Sequence, residues 1–379
     1  MSASLSCFVF EGAAYNIIFL GRILPAVGKQ SCVMPFGVIF NTIWGLALVS
    51  YIRAHLADPG RVPKRWQEFV LSVGDALPVA PPRQEWQPGK ATMCERCDIP
   101  RPERAHHCAA CKCCVLRMDH HCAWIDNCVG FGNHKFFFLL VIYACLASII
   151  SVATSLPELL YAIVEVTGFE DGLGLEVIRK LENTRKTDVL AFLISGILSL
   201  FFVVLLLPMV TTHFPLATRN ETAIESNYSN MPNPFDQGSR IANLSQVFGA
   251  CGPDWFIPVH PFRPLSDGIA FPHKDEGFPD CASDFFDADE FFGEVSETER
   301  LWRYRYHVRR PDMTPRNEVN DTGPLTSIAR WWNGTQSTDT PTGTSKRELT
   351  LGSSMNSTRA NSSFKSMTPK SNSSFVQRD

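Results

Sequence analysis

Four apolar stretches, separated by polar segments, dominate the first 210 residues of the chain. They comprise residues 5–27, 33–51, 136–156 and 189–210. The last two contain no charged side chain over about 20 residues, the length that a bilayer core requires. The second is broken only by Asn41, whereas Glu11 and Arg22 interrupt the first. The pattern predicts four transmembrane helices, and the alternative, a buried helix of a soluble domain, is strongest for residues 5–27.

The distribution of charge predicts which side of the membrane each segment faces. Residues 52–93 are rich in lysine and arginine, whereas residues 157–188 lean towards aspartate and glutamate. By the positive-inside rule, the segment after the second span and both termini are cytosolic, and residues 157–188 are lumenal or extracellular. We therefore expect a multi-pass protein of the endoplasmic reticulum, Golgi or plasma membrane. The sequons at Asn333, Asn356, Asn361 and Asn372 then stay unglycosylated.

The remaining segments divide by composition. Residues 52–93 form a linker with a turn signal, Asp58-Pro59-Gly60, and residues 211–250 contain an amphipathic pattern through Ile241, Leu244 and Val247. Residues 251–379 form a cytosolic tail. Within it, residues 280–310 mix acids with aromatics, for which we favour a solvated acidic segment over a docked one. The Ser/Thr/Asn-rich chain after residue 333 is expected to be largely disordered.

Cysteine and histidine are concentrated in residues 94–135, between the second and third spans. Most of the chain's 13 cysteines lie there, in C-x-x-C steps beside histidines, which is typical of zinc sites. Thiols stay reduced in the cytosol, so zinc is favoured over disulfides. The segment holds enough ligands for two sites of four, but spacing alone does not pair them. The net charge of −3 gives no support for a nucleic-acid partner.

The run Asp119-His120-His121-Cys122 combines a carboxylate, two imidazoles and a thiol. In an extended conformation His120 and Cys122 project to one side, where the imidazole could convert the thiol into a nucleophilic thiolate. Asp119 could orient that imidazole, as the acid of a triad does. Alternatively, all four residues bind metal or support its ligands. The chemistry of the residues leaves both interpretations open.

The order of motifs in this segment resembles the DHHC family of protein S-acyltransferases. The shared motifs are C-x2-C at 94–97, RP-x-RAHHC at 101–108, C-x2-C-x2-C at 108–114 and DHHC at 119–122, followed by Trp124, Asn127-Cys128, Gly130, Asn133 and Phe136. The DPG turn at 58–60 and the segment 233–249 also resemble family motifs. The resemblance covers roughly residues 5–250.

The resemblance implies a fold and a set of site residues. The fold is an all-α integral membrane protein with four transmembrane helices and a small zinc-stabilised cytosolic domain of short β-hairpins and loops between the second and third. One zinc ion is expected on Cys94, Cys97, His107 and Cys114, and a second on Cys108, Cys111, His121 and Cys128. Cys122 is left as the nucleophile, with His120 as its base and Asp119 as the orienting acid. Arg101, Arg104 and His106 are expected to face the phosphates of coenzyme A.

The implied reaction moves a fatty acyl group, typically palmitoyl, from acyl-coenzyme A through Cys122 to cysteines of membrane-associated substrate proteins. The alternative is a membrane-anchored zinc scaffold without transfer activity. Three positions depart from the family pattern. Ala123 stands where a proline is usual, Ala223 replaces a threonine whose hydroxyl would support Asp119, and Phe235 replaces an aromatic hydroxyl. We therefore expect Asp119 to be held less firmly than in the family.

Overall fold

The computed structural model describes residues 2–167, 185–273 and 296–308. Within these described residues, four helices are long and apolar enough to cross a membrane, and they are named spans 1 to 4. They run over Ser4–Ala26, Gln30–Leu56, His134–Val164 and Lys186–Thr218. The predicted fold class, a helical membrane protein with a small cysteine-rich domain of β-hairpins, is confirmed. The predicted disordered tail after residue 333 lies outside the described residues, as do residues 168–184.

The helical segments have the following bounds. The α-helices are α1 (Ser2–Ala13), α2 (Leu24–Ala26), α3 (Val33–Leu56), α4 (Lys64–Val73), α5 (His134–Thr167), α6 (Lys186–Thr218), α7 (Arg240–Phe248) and α8 (Glu297–Arg305). A π-helical stretch, Ala14–Ile23, joins α1 to α2, and 3-10 turns occupy Gln30–Cys32, Gly74–Ala76, Glu225–Asn227 and Pro253–Phe256. Spans 3 and 4 thus correspond to α5 and α6, and α5 packs between α3 and α6.

Both charged side chains of the first apolar stretch are paired with groups on other spans. Glu11 is buried, and its Oε1 accepts hydrogen bonds from Ser199 at 2.9 Å and Ser148 at 3.3 Å. Arg22, the other charge that interrupts the first apolar stretch, forms a 2.6 Å ion pair with Asp188 at the start of span 4. Such pairing lowers the cost of charge in a membrane. It explains how residues 4–26 form a helix of spanning length despite two charges.

The cysteine-rich domain consists of short strands. They are β1 (Val79–Ala80), β2 (Ala91–Cys94), β3 (Ile99–Arg101), β4 (His106–Cys108), β5 (Cys113–Val115), β6 (His120–Cys122) and β7 (Asn127–Val129). The first three form one sheet in the order β1-β2-β3, with β1 parallel to β2, and the last four form two antiparallel hairpins, β4-β5 and β6-β7. These sheets are too small for a core of their own, so other interactions must hold the domain together.

The turn after span 2 fixes this domain to the bundle. The carboxylate of Asp58 accepts hydrogen bonds from the backbone amides of Gly60 and Arg61, both at 2.8 Å. Gly60 has φ +99°, a conformation that favours glycine. Its carbonyl accepts from Leu116 at 2.7 Å, and the Pro59 carbonyl accepts from Gly132 at 3.1 Å. The DPG sequence therefore joins span 2 to both hairpin regions through the backbone.

The segment 297–308 corrects one prediction, because it is docked rather than solvated. Trp302 and Tyr306 are 3% and 0% exposed and pack on Trp66 and Phe69 of α4. The Trp302 indole donates to Asp267 at 2.6 Å. Composition alone did not show this docking, because the acids that precede it in sequence obscure the apolar face of a nine-residue helix. Residues 280–295 lie outside the described residues.

Trp302→Ala should destabilise the cysteine-rich domain, because it removes a fully packed indole and leaves Asp267 without that donor. The expected loss is about 3–5 kcal/mol. Thermal unfolding of the purified full chain, together with hydrogen exchange in α4 and α8, would measure it. The matched control is Leu71→Ala, since Leu71 also lies on α4 but is 84% exposed. Equal melting temperatures for the two variants would contradict the docking.

Candidate active site and metal centres

The first metal centre joins the end of β2 and the turn after it to the middle of the β4-β5 hairpin. The ligand atoms of Cys94, Cys97, His107 and Cys114 all lie within 4.8 Å of one another. The Nδ1 atom of His107 is 3.2 Å from the Cys97 sulfur and 3.6 Å from the Cys94 sulfur. Three thiols and one imidazole at this separation match a closed tetrahedral zinc site.

The second centre repeats this arrangement one hairpin further along. Cys108, Cys111, His121 and Cys128 bring their ligand atoms within 4.8 Å of one another. The Nδ1 atom of His121 lies 3.4–3.6 Å from all three sulfurs. Both groups contain the same residues as the ligand sets that the family resemblance implies. The donor sets fit two zinc ions.

Hairpin register explains why a histidine meets a cysteine in each centre. His107 pairs with Cys114 across β4-β5, and His121 pairs with Cys128 across β6-β7. The turns that close the ligand loops place non-glycine residues, including Lys112 at φ +55°, in the left-handed region. Burial, followed by hydrogen bonds and charges of the neighbouring thiols, raises the pKa of Cys114. A divalent cation would remove that repulsion by holding the sulfurs as thiolates.

Cys122 belongs to neither group, although it follows a ligand position directly. Its side chain is 5% exposed at the end of β6, and its thiol is hydrogen-bonded to His120. The Nδ1 atom of His120 lies 2.7 Å from Oδ2 of Asp119, which is 1% exposed. Because alternate residues of a strand share a face, His120 and Cys122 meet on one side while His121 turns to the metal centre. The structure thus assembles an acid, a base and a thiol in the order of a catalytic triad.

The protonation equilibria of this group favour a thiolate. Burial disfavours charge on Cys122, but the hydrogen bond from His120 and the amides of Ile125 and Trp124 lower the pKa of its thiol. Burial likewise opposes a charged His120, but Asp119 and Cys122 raise the pKa of the imidazole to about 9. Despite burial, the hydrogen bond from His120 keeps the pKa of Asp119 well below its usual range. A thiolate beside an imidazolium is the reactive form of a cysteine nucleophile.

Asp119 is held from the backbone where the family motif would use a hydroxyl. The amide of Ala223 donates to Oδ1 of Asp119 at 2.7 Å, while Oδ2 bonds to His120. Both oxygens of the carboxylate are therefore engaged, and the looser hold on Asp119 expected from the missing hydroxyl stays a prediction. His213 also approaches, with Nδ1 at 3.6 Å from Oδ2. The sequence motif did not indicate His213, because span 4 brings it to the site from 94 positions away.

Arg104 forms a buried ion pair next to the site. Its guanidinium is buried and donates to both oxygens of Glu225, each at 2.7 Å, and to the Asn220 carbonyl at 2.8 Å. It also lies over the Phe235 ring at 4.4 Å. Arg104 also lines the cavity that Arg101 and His106 line, and its expected role towards coenzyme A stays a prediction. Phe235, which lacks the hydroxyl usual in the family, contributes an aromatic face to this ion pair instead.

Arg101 and His106 line an open polar cavity of about 430 Å³. Arg83 and Lys90 line it as well, together with Tyr228. The Nε atom of Arg101 donates to Thr92 at 2.7 Å. Burial and the nearby charge of Arg101 lower the pKa of His106 to about 4, so its imidazole is neutral at pH 7. Sequence reasoning missed Arg83 and Lys90, since they belong to a linker without a motif.

A second cavity, of about 680 Å³, extends from Cys122 between the spans. Tyr51, Trp124 and Ile125 surround it near the thiol, and Leu140, Val141 and Ala144 of span 3 form one wall. The side chains of Glu11 and Ser148 also line it. Its walls are therefore almost entirely apolar, apart from the polar side chains of Glu11 and Ser148 among the spans.

The comparisons with known proteins cover the region of this site. The sequence model of the DHHC palmitoyltransferase family matches residues 87–230, which include both metal centres and Cys122. "Probable protein S-acyltransferase 12" of Arabidopsis thaliana is 32% identical over 241 residues, covering 62% of this chain and 78% of that protein. "Palmitoyltransferase ZDHHC20" of Homo sapiens is 35% identical over 227 residues, covering 58% and 56%. The chain thus spans a little over half of the human relative.

The matched region coincides with the part of the chain that carries the chemistry. It contains both Cys3His groups and the Asp119-His120-Cys122 cluster. The plant relative exceeds 30% identity and is covered over more than two thirds of its length. Relatives in this family carry the names palmitoyltransferase or S-acyltransferase. On this sequence and structural evidence, the chain belongs to the DHHC palmitoyltransferase family.

Proposed function

We propose that this protein is a protein S-acyltransferase that moves a fatty acyl group from acyl-coenzyme A to cysteine thiols of other proteins through an acyl-enzyme on Cys122. One observation carries the proposal. The buried Cys122 thiol lies between an acid-base pair and an apolar cavity among membrane spans. A nucleophile in this position reaches a reactive carbonyl whose hydrocarbon chain is already buried.

In the first step, the Cys122 thiolate attacks the thioester carbonyl. A bond forms between that carbon and the Cys122 sulfur, the bond to the coenzyme A sulfur breaks, and the proton held by His120 passes to the departing thiolate. Asp119 keeps the imidazole oriented and stabilises its charged form. The product is an acyl-Cys122 thioester with free coenzyme A.

In the second step, a substrate protein replaces coenzyme A. His120 accepts a proton from the substrate thiol, the resulting thiolate attacks the acyl-Cys122 carbonyl, and Cys122 leaves as the thiolate. Trp124 is 50% exposed two residues after the nucleophile, at the edge that a membrane-associated substrate would approach.

The two cavities suit the two halves of the donor. The apolar cavity is proposed to take the acyl chain, and the cavity lined by Arg83, Lys90 and Arg101 the phosphates of coenzyme A. His106 lines the same cavity as a neutral donor. Arg104 is proposed to act indirectly, because its ion pair with Glu225 holds together the loop next to this cavity and the turn that supports Asp119.

The zinc ions are proposed as structural. Three thiols and one imidazole in each centre leave no open coordination position for a substrate. Metal binding would supply folding free energy to a domain of three-residue strands. The ions then hold β6, so that Cys122 and His120 keep their relative positions.

The orientation and compartment are also proposals. Basic residues on the side of the cysteine-rich domain favour a cytosolic position for it, where acyl-coenzyme A and reduced thiols are available. Endoplasmic reticulum, Golgi and plasma membrane all satisfy this arrangement.

The alternative function is a zinc scaffold without transfer activity, suggested by Ala123 and Ala223. The 2.7 Å hydrogen bond from the Ala223 amide to Asp119 argues against that alternative, because the carboxylate keeps a donor on the segment after span 4 although the hydroxyl is missing. Acylation of Cys122 distinguishes the two functions.

Cys122→Ser should abolish acylation of the protein. Purified wild type incubated with a clickable palmitoyl-coenzyme A should carry hydroxylamine-sensitive label, and the variant should lose at least about 100-fold of it, since serine lacks a thiolate. The matched control is Cys113→Ser, because Cys113 lies in the same domain outside both metal groups. Absence of label on the wild type with any donor would favour the scaffold.

Zinc content should follow the two ligand groups. Wild type should bind two zinc ions per chain, and His107→Ala and His121→Ala should each bind about one, because each removes a ligand from one closed site. His120→Ala should keep both ions while losing acylation. Metal analysis of the purified, folded proteins provides the measurement. Loss of zinc from His120→Ala would refute the assignment of His120 as a base.

Glu11 should limit the length of the acyl chain. Phe137, whose ring contacts His120, and Ser148, which bonds to Glu11, are 11 residues apart on span 3, or about 16 Å along the helix. An extended chain of single bonds advances about 1.2 Å per bond, so the carboxyl group lies about as far along the span as the last carbons of a palmitoyl chain would reach. Glu11→Ala should therefore raise the ratio of stearoyl to palmitoyl transfer by roughly tenfold.

A competition assay with acyl-coenzyme A donors of increasing length measures this ratio on Cys122. Ile17→Ala is the matched control, because Ile17 belongs to the same span but is 56% exposed on its outer surface. Glu11→Gln, which keeps size and polarity, should retain the wild-type profile. An unchanged profile for Glu11→Ala would show that the carboxyl group does not bound the chain.

A further inference from the structure

Residues 254–262 follow α7 and contact span 3 at three points along the helix. The carboxylate of Asp254 forms a buried ion pair with Lys135 at 3.2 Å, near the start of α5. The carbonyl of Phe256 then accepts a 2.5 Å hydrogen bond from the hydroxyl of Tyr143. His260 returns to the start of the helix, where its ring lies 4.9 Å from that of Phe136.

These contacts show that the loop runs along span 3 and then returns to the start of that helix. Lys135 and Tyr143 are eight residues apart, which is about 12 Å of helix rise. The tyrosine side chain leans towards the helix N-terminus, so the tip of the loop reaches somewhat less than this distance. Tyr143 belongs to a stretch, residues 136–156, without a charged side chain. The tip therefore lies at the depth of the bilayer region that this stretch crosses.

The outward face of the loop is apolar. Phe256 is 70% exposed, Phe262 is 62% exposed and Ile257 is 41% exposed. Three large apolar side chains within seven residues are unusual on a water-facing loop. The charged groups instead lie at its base, where Asp254 and Lys135 neutralise each other.

Several backbone groups of the loop also meet the requirements of a medium without water. Pro258 and Pro261 have no amide hydrogen to satisfy. The amides of Ile257 and Val259 donate to the carbonyls of Asp254 and Ile257, at 3.3 and 2.8 Å, and the Phe256 carbonyl is bonded to Tyr143. Non-helical backbone is tolerated at membrane depth only when its polar groups find such partners.

From these observations we propose that residues 254–262 form a membrane-embedded loop, whose partner is the lipid of the leaflet on the side of the cysteine-rich domain. The aromatic side chains lie among acyl chains and head groups, as interfacial aromatics do. Trp255 packs on Phe248 at 5.3 Å, and Phe248 packs on Phe138 of span 3. The loop thus anchors α7 to the bilayer through direct contacts, independently of the proposed transfer reaction.

The test replaces Phe256 or Phe262, in separate full-length variants, with the photoreactive residue p-benzoylphenylalanine. Each folded variant is reconstituted in nanodiscs with alkyne-tagged phosphatidylcholine and irradiated. Both positions should label with lipid about as strongly as Phe201, which is 50% exposed on span 4, and at least about tenfold more than Glu95, an exposed residue of the cysteine-rich domain.

Zinc content and a single size-exclusion peak establish that each variant is folded before irradiation. Lipid labelling at the Glu95 level for both phenylalanine positions would overturn the proposal. Crosslinking of Phe256 and Phe262 to a second copy of the chain in place of lipid would overturn it as well, since the face would then be a protein interface.

Discussion

The hydrogen-bonded carboxylate of Asp119 is the interaction on which the site depends. It is almost fully buried, and its two oxygens connect His120 in a zinc-domain hairpin to the backbone of Ala223 after span 4. A buried carboxylate is tolerable only when such donors satisfy it. The position of the imidazole, and hence the state of the Cys122 thiol, follows from where these two donors are held. The site therefore requires both the cysteine-rich domain and the membrane bundle.

Further contacts fix the position of the cysteine-rich domain relative to the membrane bundle. Asp58 and the neighbouring turn residues bond to both hairpins from the end of span 2. Arg104 and Glu225 form a buried ion pair between the cysteine-rich domain and the segment after span 4. Removing one partner of such a pair would leave an uncompensated buried charge, so the pair specifies the arrangement more than it adds net stability.

The spans combine an apolar exterior with paired polar groups inside. Glu11 bonds to serines on two other spans, and Lys29 forms a 2.7 Å ion pair with the buried Glu158. These contacts tie span 1 to spans 3 and 4, and Glu11 also faces the cavity next to Cys122. A polar group that stabilises the bundle thus lies where an acyl chain is proposed to end. The boundaries of the cavity are set by the same contacts that pack the helices.

The sequence by itself determined the features that depend on neighbouring residues. Span length follows from uninterrupted apolar residues, and two groups of Cys3His follow from C-x-x-C steps and family motifs. The structure brings together the same eight residues. The alternation of a strand likewise places His120 and Cys122 on one side. These features could be predicted because the physical cause, hydrophobicity or side-chain direction, acts within a few residues.

Only the tertiary structure decided the partners that come from distant segments. Arg104 pairs with Glu225, 121 positions away, and the backbone amide of Ala223 donates to Asp119, 104 positions away. Trp302 is buried on α4 although its segment reads as solvated. In each case a residue type permits several partners, and packing selects one. Sequence pattern records the chemistry that a side chain offers, whereas the fold determines which group lies within hydrogen-bond distance of it.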